Sequence, residues 1–112
     1  MRFRMLISVA AAAIAGLTTT AVVEAPAHAA STSTWNRLAQ CESSGRWHIN
    51  TGNGYYGGLQ ISASTWRGYG GRHYASLPNR ASKAQQIHVA ERIKRAQGWG
   101  AWPVCSRKIG VR

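Results

Sequence analysis

Aspartate is absent from this 112-residue chain, and glutamate occurs only as Glu24, Glu42 and Glu91. A Ser-His-Asp relay is thereby excluded, and no Gly-x-Ser-x-Gly elbow surrounds Ser43 or Ser64. Cysteine is as scarce, with Cys41 and Cys105 alone, at a spacing that fits neither a C-x-x-C redox pair nor a zinc pattern. His48, His73 and His88 have no metal-ligand spacing and no acidic residues to join them, so no metal and no cofactor is expected. Internal repeats are missing. Beyond the N-terminal segment no apolar run approaches the roughly 20 residues that span a bilayer.

That N-terminal segment has a defined order: Arg2 and Arg4, an apolar run over residues 5–17, then small residues ending in Ala27-His28-Ala29. Charge, grease and an A-x-A site in sequence describe a secretory signal cleaved after Ala29. The run is too short for a membrane anchor, so no stable membrane insertion is expected after cleavage. Residues 30–112 then form one domain, small enough to bury only about 60–65% of its unfolded surface. An exported pair of cysteines in so short a chain is a disulfide, Cys41 to Cys105. Removing residues 1–29 leaves 12 Lys and Arg against Glu42 and Glu91, a net charge of +10. Such a surface suits polyanions, among them anionic wall polymers. The basic residues are scattered and no nucleic-acid motif is present, so nucleic acid is not expected as a partner.

Along the chain, residues 30–33 form a short polar leader. Trp35, Leu38, Ala39 and Cys41 approximate one face of a first helix, capped by Ser33 or Thr34 and ending near Ser44-Gly45. The stretch from Trp47 to Ile61 is dense in Gly, Asn and paired Tyr, which predicts turns and short extended pieces. Ser62 opens a short helix anchored by Trp66. The longest helix starts at a capping box of Ser82 and Gln85, carries a stripe of Ala84, Ile87, Ala90 and Ile93, and stops at Gly98. Residues 107–112 read as a frayed basic tail.

Any acid chemistry therefore passes through Glu42 or Glu91. Glu91 falls beside the buried stripe with Arg95 at i+4, which predicts a structural, ion-paired residue. Glu42 falls in the last turn of the first helix, where the helix dipole disfavours negative charge. Burial near Trp35, Trp47 or Trp66 would raise its pKa toward the range useful for donating a proton, whereas a close Arg37 or Arg46 would lower it. Tertiary distances decide between the two. Trp99 and Trp102, flanking the disulfide, are expected to pack, while Tyr55, Tyr56 and Trp66 stand between core and groove.

Taken in order, Glu42-Ser43, Tyr55-Tyr56-Gly57-Gly58-Leu59-Gln60-Ile61, Ser64-Thr65-Trp66 and Gln97-Gly98-Trp99-Gly100-Ala101-Trp102-Pro103-Val104-Cys105 resemble the resuscitation-promoting factor domain of actinobacteria. That family is a secreted peptidoglycan-cleaving module of the lysozyme and lytic transglycosylase superfamily, and the resemblance spans residues 34–106. It implies an α+β, mainly α, lysozyme-like domain with about three helices, a short β-like segment and one disulfide. It implies Glu42 as the catalytic acid and Tyr55, Gln60, Thr65, Trp66 and Gln97 as substrate-binding residues. The implied substrate is the β-1,4 bond between N-acetylmuramic acid and N-acetylglucosamine in peptidoglycan glycan strands, cut by a monomer that is secreted, extracellular or wall-associated. A peptidoglycan-binding module without catalysis is the alternative. The chain departs from many relatives at Ser44, where they carry Gly, and at Ser62, where an acidic residue can stand.

Overall fold

A hydroxyl placed just before a run with apolar residues at 35, 38 and 39 starts a helix, and the chain uses the earliest hydroxyl on offer. The computed structural model describes residues 29–112; the expected export segment, but for Ala29, lies outside them. Helix α1 spans Thr32–Ser43, and Ser31 Oγ accepts the Thr34 N–H at 3.1 Å. The cap is thus Ser31, not Ser33 or Thr34, because the Thr34 hydroxyl is itself taken up by Ser31 at 3.0 Å. Trp35, Leu38, Ala39 and Ser43 form its buried face. Ser44, at φ 58°, closes the helix: its N–H reaches Gln40 O and that of Gly45 reaches Ala39 O, both at 3.1 Å. This pair of bonds satisfies carbonyls that the helix end would otherwise leave open.

The glycine-rich stretch becomes a small antiparallel hairpin. Strands β1 (Tyr55–Tyr56) and β2 (Ile61–Ser62) pair Tyr55 with Ser62 and Tyr56 with Ile61, leaving residues 57–60 as the turn. Ser62 then caps α2 (Ala63–Gly68) by accepting the Thr65 N–H at 3.2 Å. Single 3₁₀ turns at Gly71–His73 and Pro78–Arg80 lead to α3 (Lys83–Gln97), which opens with the expected capping box and stops at Gly98. A further turn at Trp99–Ala101 leads to α4 (Pro103–Lys108), with Pro at its start, where a missing N–H costs nothing. The described residues thus hold four α-helices where about three were expected, α4 being the addition. Residues beyond it are not frayed: Val111 N–H bonds to Ser106 O at 3.0 Å and Arg37 donates to Ile109 O.

The core gathers Trp35, Leu38, Leu59, Trp66, Val89, Ile93 and Trp102, each no more than 3% exposed. Burying a side chain of this size contributes about 1.5–3 kcal/mol. The stripe of α3 is rotated from its predicted position, with Gln86, Val89, Ala90 and Ile93 buried, Ala84 exposed and Ile87 half-buried. A glutamine inside the core runs against its polarity, but every arm of its amide is used. Gln86 Nε2 donates to Trp47 O at 2.8 Å and Ala81 O at 3.0 Å, and its Oε1 accepts the Gly58 N–H at 3.0 Å. A buried amide satisfied in this way carries little desolvation cost. The disulfide between Cys41 and Cys105 joins α1 to α4.

Gly58 shows how tightly the hairpin turn is seated. A Cβ there would lie 2.4 Å from the ring of Trp47. The Gly58→Ala variant is expected to lose about 1–3 kcal/mol through overpacking, read as a fall in Tm of about 4–8 °C per kcal/mol. An unchanged melting curve would show that the turn yields freely.

Candidate active site

The end of α1 and the turn of the hairpin are locked together by one side chain. Ser43 Oγ lies 2.9 Å from Gly58 O and 3.1 Å from Ala39 O, and it accepts the Arg46 N–H at 3.2 Å. With Ser43 turned inward, the preceding residue, Glu42, is carried to the rim of the hairpin. A groove runs there in two adjoining basins that share Tyr55, Gln60, Ala101 and Trp102 as walls. The wider basin, about 250 Å³, is completed by Glu42 and Pro103. The narrower, about 80 Å³, continues past Ile61, Ser62, Thr65, Ile93 and Gln97.

Glu42 is half-buried, and burial alone raises its pKa above the ordinary 4.5. Among the described residues its carboxylate has no hydrogen bond and no ion pair. Both neighbouring arginines are occupied elsewhere. Arg46 Nε donates to Ser43 O at 3.2 Å, and Arg37 donates to the carbonyl of Ile109 on the far side of the helix junction. In this basic domain the charges that would hold Glu42 ionised point at backbone carbonyls instead, and desolvation prevails.

Gln60 is held just as firmly. Its backbone is in the left-handed region at φ 53°, unusual outside glycine, and its Nε2 donates to Gly57 O at 3.1 Å. Strain of this kind, about 1–3 kcal/mol, persists where surrounding structure enforces it and clusters at functional sites. Trp102 closes the floor, 3% exposed, with Nε1 donating to Leu59 O at 2.9 Å.

Residues 29–105 match a family model described as a transglycosylase-like domain. The chain belongs to that family. It is 60% identical over 92 residues to resuscitation-promoting factor Rpf1 of Corynebacterium glutamicum, covering 81% of this chain and 48% of the relative. It is 58% identical over 87 residues to resuscitation-promoting factor Rpf of Micrococcus luteus, covering 78% and 38%. With resuscitation-promoting factor RpfE of Mycobacterium tuberculosis it shares 57% over 74 residues, covering 66% and 41%. The chain therefore spans about half or less of each of these three relatives.

Within this transglycosylase-like domain, Glu42, Tyr55, Gln60, Thr65 and Gln97 all line the groove. Trp66 does not. It is 0% exposed, its Nε1 donates to Ala75 O at 2.8 Å, and Gly71 packs so closely that a Cβ would fall 2.1 Å from the ring. A ring so enclosed cannot stack on a sugar, so the expected substrate contact is corrected to a core residue beneath α2. Thr65 and Gln97 bring polar groups already engaged, Thr65 Oγ1 with Ser62 Oγ at 3.0 Å and Gln97 Nε2 with Tyr69 Oη at 3.0 Å. Trp102, expected only to pack beside the disulfide, is a groove wall as well, and Pro103 joins it in the wider basin.

Glu91 stands apart from the groove. Its Oε2 accepts from Trp35 Nε1 at 2.8 Å and from the Ala30 N–H at 2.9 Å, and its Oε1 lies 3.7 Å from Lys94 Nζ. The structural role holds, with Lys94 at i+3 in place of Arg95 at i+4. No helix among the described residues is long and apolar enough to cross a membrane, and no group of three His, Cys, Asp or Glu among them is placed to hold a metal.

Proposed function

We propose that this domain acts on peptidoglycan outside the cell, cleaving the β-1,4 glycosidic bond between N-acetylmuramic acid and N-acetylglucosamine with Glu42 as its single catalytic acid. The observation that carries this reading is a half-buried carboxyl with a raised pKa, without a hydrogen-bond or ion-pair partner among the described residues, at the wall of an open groove. Membership in the transglycosylase-like family supports it.

The chemistry follows from what the groove contains. Breaking a glycosidic bond needs a proton on the departing oxygen, and a carboxyl whose pKa desolvation raises keeps its proton to higher pH than an exposed one and can supply it. Glycosidases with two acids place them about 5–9.5 Å apart, but among the described residues Glu42 is the only carboxylate lining the groove. With no second carboxylate there to assist, a group of the substrate itself is the nucleophile we favour for the cation-like carbon. As the glycosidic C–O bond breaks, the Glu42 proton moves to the leaving 4-oxygen. The muramoyl 6-hydroxyl then attacks C1 and returns a proton to Glu42, giving a 1,6-anhydro sugar. Tyr55 offers a ring, half exposed at 51%, for an apolar sugar face. Gln60, Thr65 and Gln97 offer amide and hydroxyl groups along the glycan's path.

Purified protein incubated with peptidoglycan, followed by mass analysis of soluble fragments, tests the proposal. Release of muropeptides 18 Da below the hydrated mass, about one water per cut, is the expected result. Hydrated fragments would keep Glu42 as acid and replace the internal hydroxyl by water. Bound but intact glycan would make the domain a binding module and overturn the catalytic reading.

A further inference from the structure

Glu91 is almost wholly buried for a charged side chain, 14% exposed, and it is incompletely served. Its Oε2 takes Trp35 Nε1–H and the Ala30 N–H, while Oε1 has no hydrogen bond and only Lys94 Nζ at 3.7 Å. A peptide N–H is a weak partner for such a carboxylate: it brings one proton and no charge. Ala30, however, directly follows Ala27-His28-Ala29, the expected cleavage site. Ala30 and Glu91 are 61 residues apart in the chain, so the fold brings the site to the carboxylate.

We propose that cleavage after Ala29 creates an α-ammonium at Ala30 that binds Glu91, so that removal of the export segment completes the folded state. An export endopeptidase acting on small residues adds water across the Ala29–Ala30 peptide bond. The C–N bond breaks, the water oxygen stays on Ala29 as its carboxylate, and the Ala30 nitrogen takes up protons to become an ammonium. No oxidant or reductant is needed. The single neutral contact at 2.9 Å becomes a charge-assisted one, and the ammonium carries donors to spare for Oε1. Charge-assisted hydrogen bonds are about twice as strong as neutral ones, and a buried carboxylate profits most when its remaining lone pairs are filled.

The pair reaches the groove through packing. Trp35, held by Glu91, packs tilted against Trp99 at 5.1 Å and edge-on against Trp102 at 5.4 Å between ring centroids, and Trp102 lines both basins. A new N-terminus at Ala30 therefore secures the aromatic cluster on which the groove rests. The charged group facing Glu91 from its own helix is Lys94, which also lies 5.5 Å over the Trp99 ring. Among the described residues, the groups that bond to Glu91 from outside its helix are the uncharged indole of Trp35 on α1 and the Ala30 nitrogen.

The α-amino group titrates near 7.7–8.0 when unfolded, about two units below lysine. Pairing raises its folded pKa, so the stabilisation is complete below about pH 8 and is lost as pH rises through that raised value. The full chain is exported by a bacterial host, its N-terminus found by mass spectrometry, and its Tm followed from pH 6 to 10. A second form carries Gly-Ser inserted between Ala29 and Ala30, which moves the amine away after cleavage. The expected parent begins at Ala30, and the insertion lowers Tm at pH 6–7 by about 4–8 °C, a gap that closes toward pH 10. In Glu91→Gln the insertion has no effect. If Glu91→Gln does not fold, chemical acetylation of the mature amine, with Glu91 intact, must reproduce the loss. A parent processed elsewhere, or superimposable Tm curves with and without the insertion, would overturn the proposal. None of these readings involves glycan cleavage, so the proposed function and this inference fail separately.

Discussion

Glu42→Gln is expected to reduce glycan cleavage by about 10²–10⁴-fold, the usual worth of a general acid, while leaving the protein at least as heat-stable as the parent. The first effect follows because glutamine has the shape of the protonated acid but no proton to give, and no other carboxylate among the described residues lines the groove. The second follows from linkage. Burial lifts the folded pKa of Glu42 above the ordinary 4.5, so the folded state binds the proton more tightly than the unfolded chain does. Stability from this group is complete below the unfolded value and is lost as pH rises through the raised folded value. Above the unfolded value the parent's carboxyl therefore costs stability, because its surroundings disfavour the charge that the unfolded chain carries freely, and the neutral amide is spared that cost. Tm of the variant should match or exceed the parent's at pH 7, with the difference vanishing in acid. Cleavage by the parent should likewise decline as pH rises through the folded pKa of Glu42. Muropeptide release and melting curves on both forms check this together. Undiminished cleavage would remove Glu42 from the chemistry, and a large drop in Tm would make it a structural residue.

Breaking the Cys41–Cys105 bond carries the largest expected cost in stability. The two residues are separated by 64 positions, and closing a loop of that length stabilises a fold by about 4 kcal/mol in the chain-entropy model. A domain of this size has roughly 0.05–0.15 kcal/mol per residue in total, so the loss is a large share of the whole. The Cys41→Ser, Cys105→Ser double variant, or the parent with dithiothreitol, should melt tens of degrees lower at about 4–8 °C per kcal/mol. Function should suffer with it. Cys41 precedes Glu42 at the end of α1, and Cys105 lies two residues beyond Pro103, which walls the same basin. The disulfide therefore ties the acid to the opposite wall of the groove. Reductant that left Tm and muropeptide release unchanged would contradict this account.

Much of the local architecture was legible in the chain because it depends on neighbours in sequence. The Ser82-Gln85 capping box, the Ser62 cap and the Gly98 stop each join groups within four residues, and all three appear where expected. Likewise the hairpin lies where glycines and tyrosines cluster. The helix at Pro103–Lys108 was missed because it has few apolar residues of its own and is held by the disulfide and by α1, which short-range patterning does not register. The phase of the α3 stripe was missed for a related reason. Gln86 reads as polar and outward, and only its distant partners Trp47 and Gly58 make it a buried residue.

The candidate site divides along the same line. Glu42, Tyr55, Gln60, Thr65 and Gln97 were singled out by motif, and the groove collects them. Trp66 was not separable from them by motif, since an indole beside a glycine-rich segment fits a sugar or a core equally well. Its enclosure by Gly71 and Ala75 settled that.

By itself, the sequence determined that acid chemistry has two candidate residues outside the expected export segment, because composition is independent of folding: a chain without aspartate cannot acquire one. Tertiary structure alone decided what those two carboxylates are. It turned Arg37 and Arg46 onto backbone carbonyls, leaving Glu42 desolvated and unpaired at the groove, and it brought Trp35 and Ala30 to Glu91 across more than fifty residues of chain. A carboxyl's proton affinity is set by distances of a few ångströms to burial, donors and charge, and the fold decides those distances.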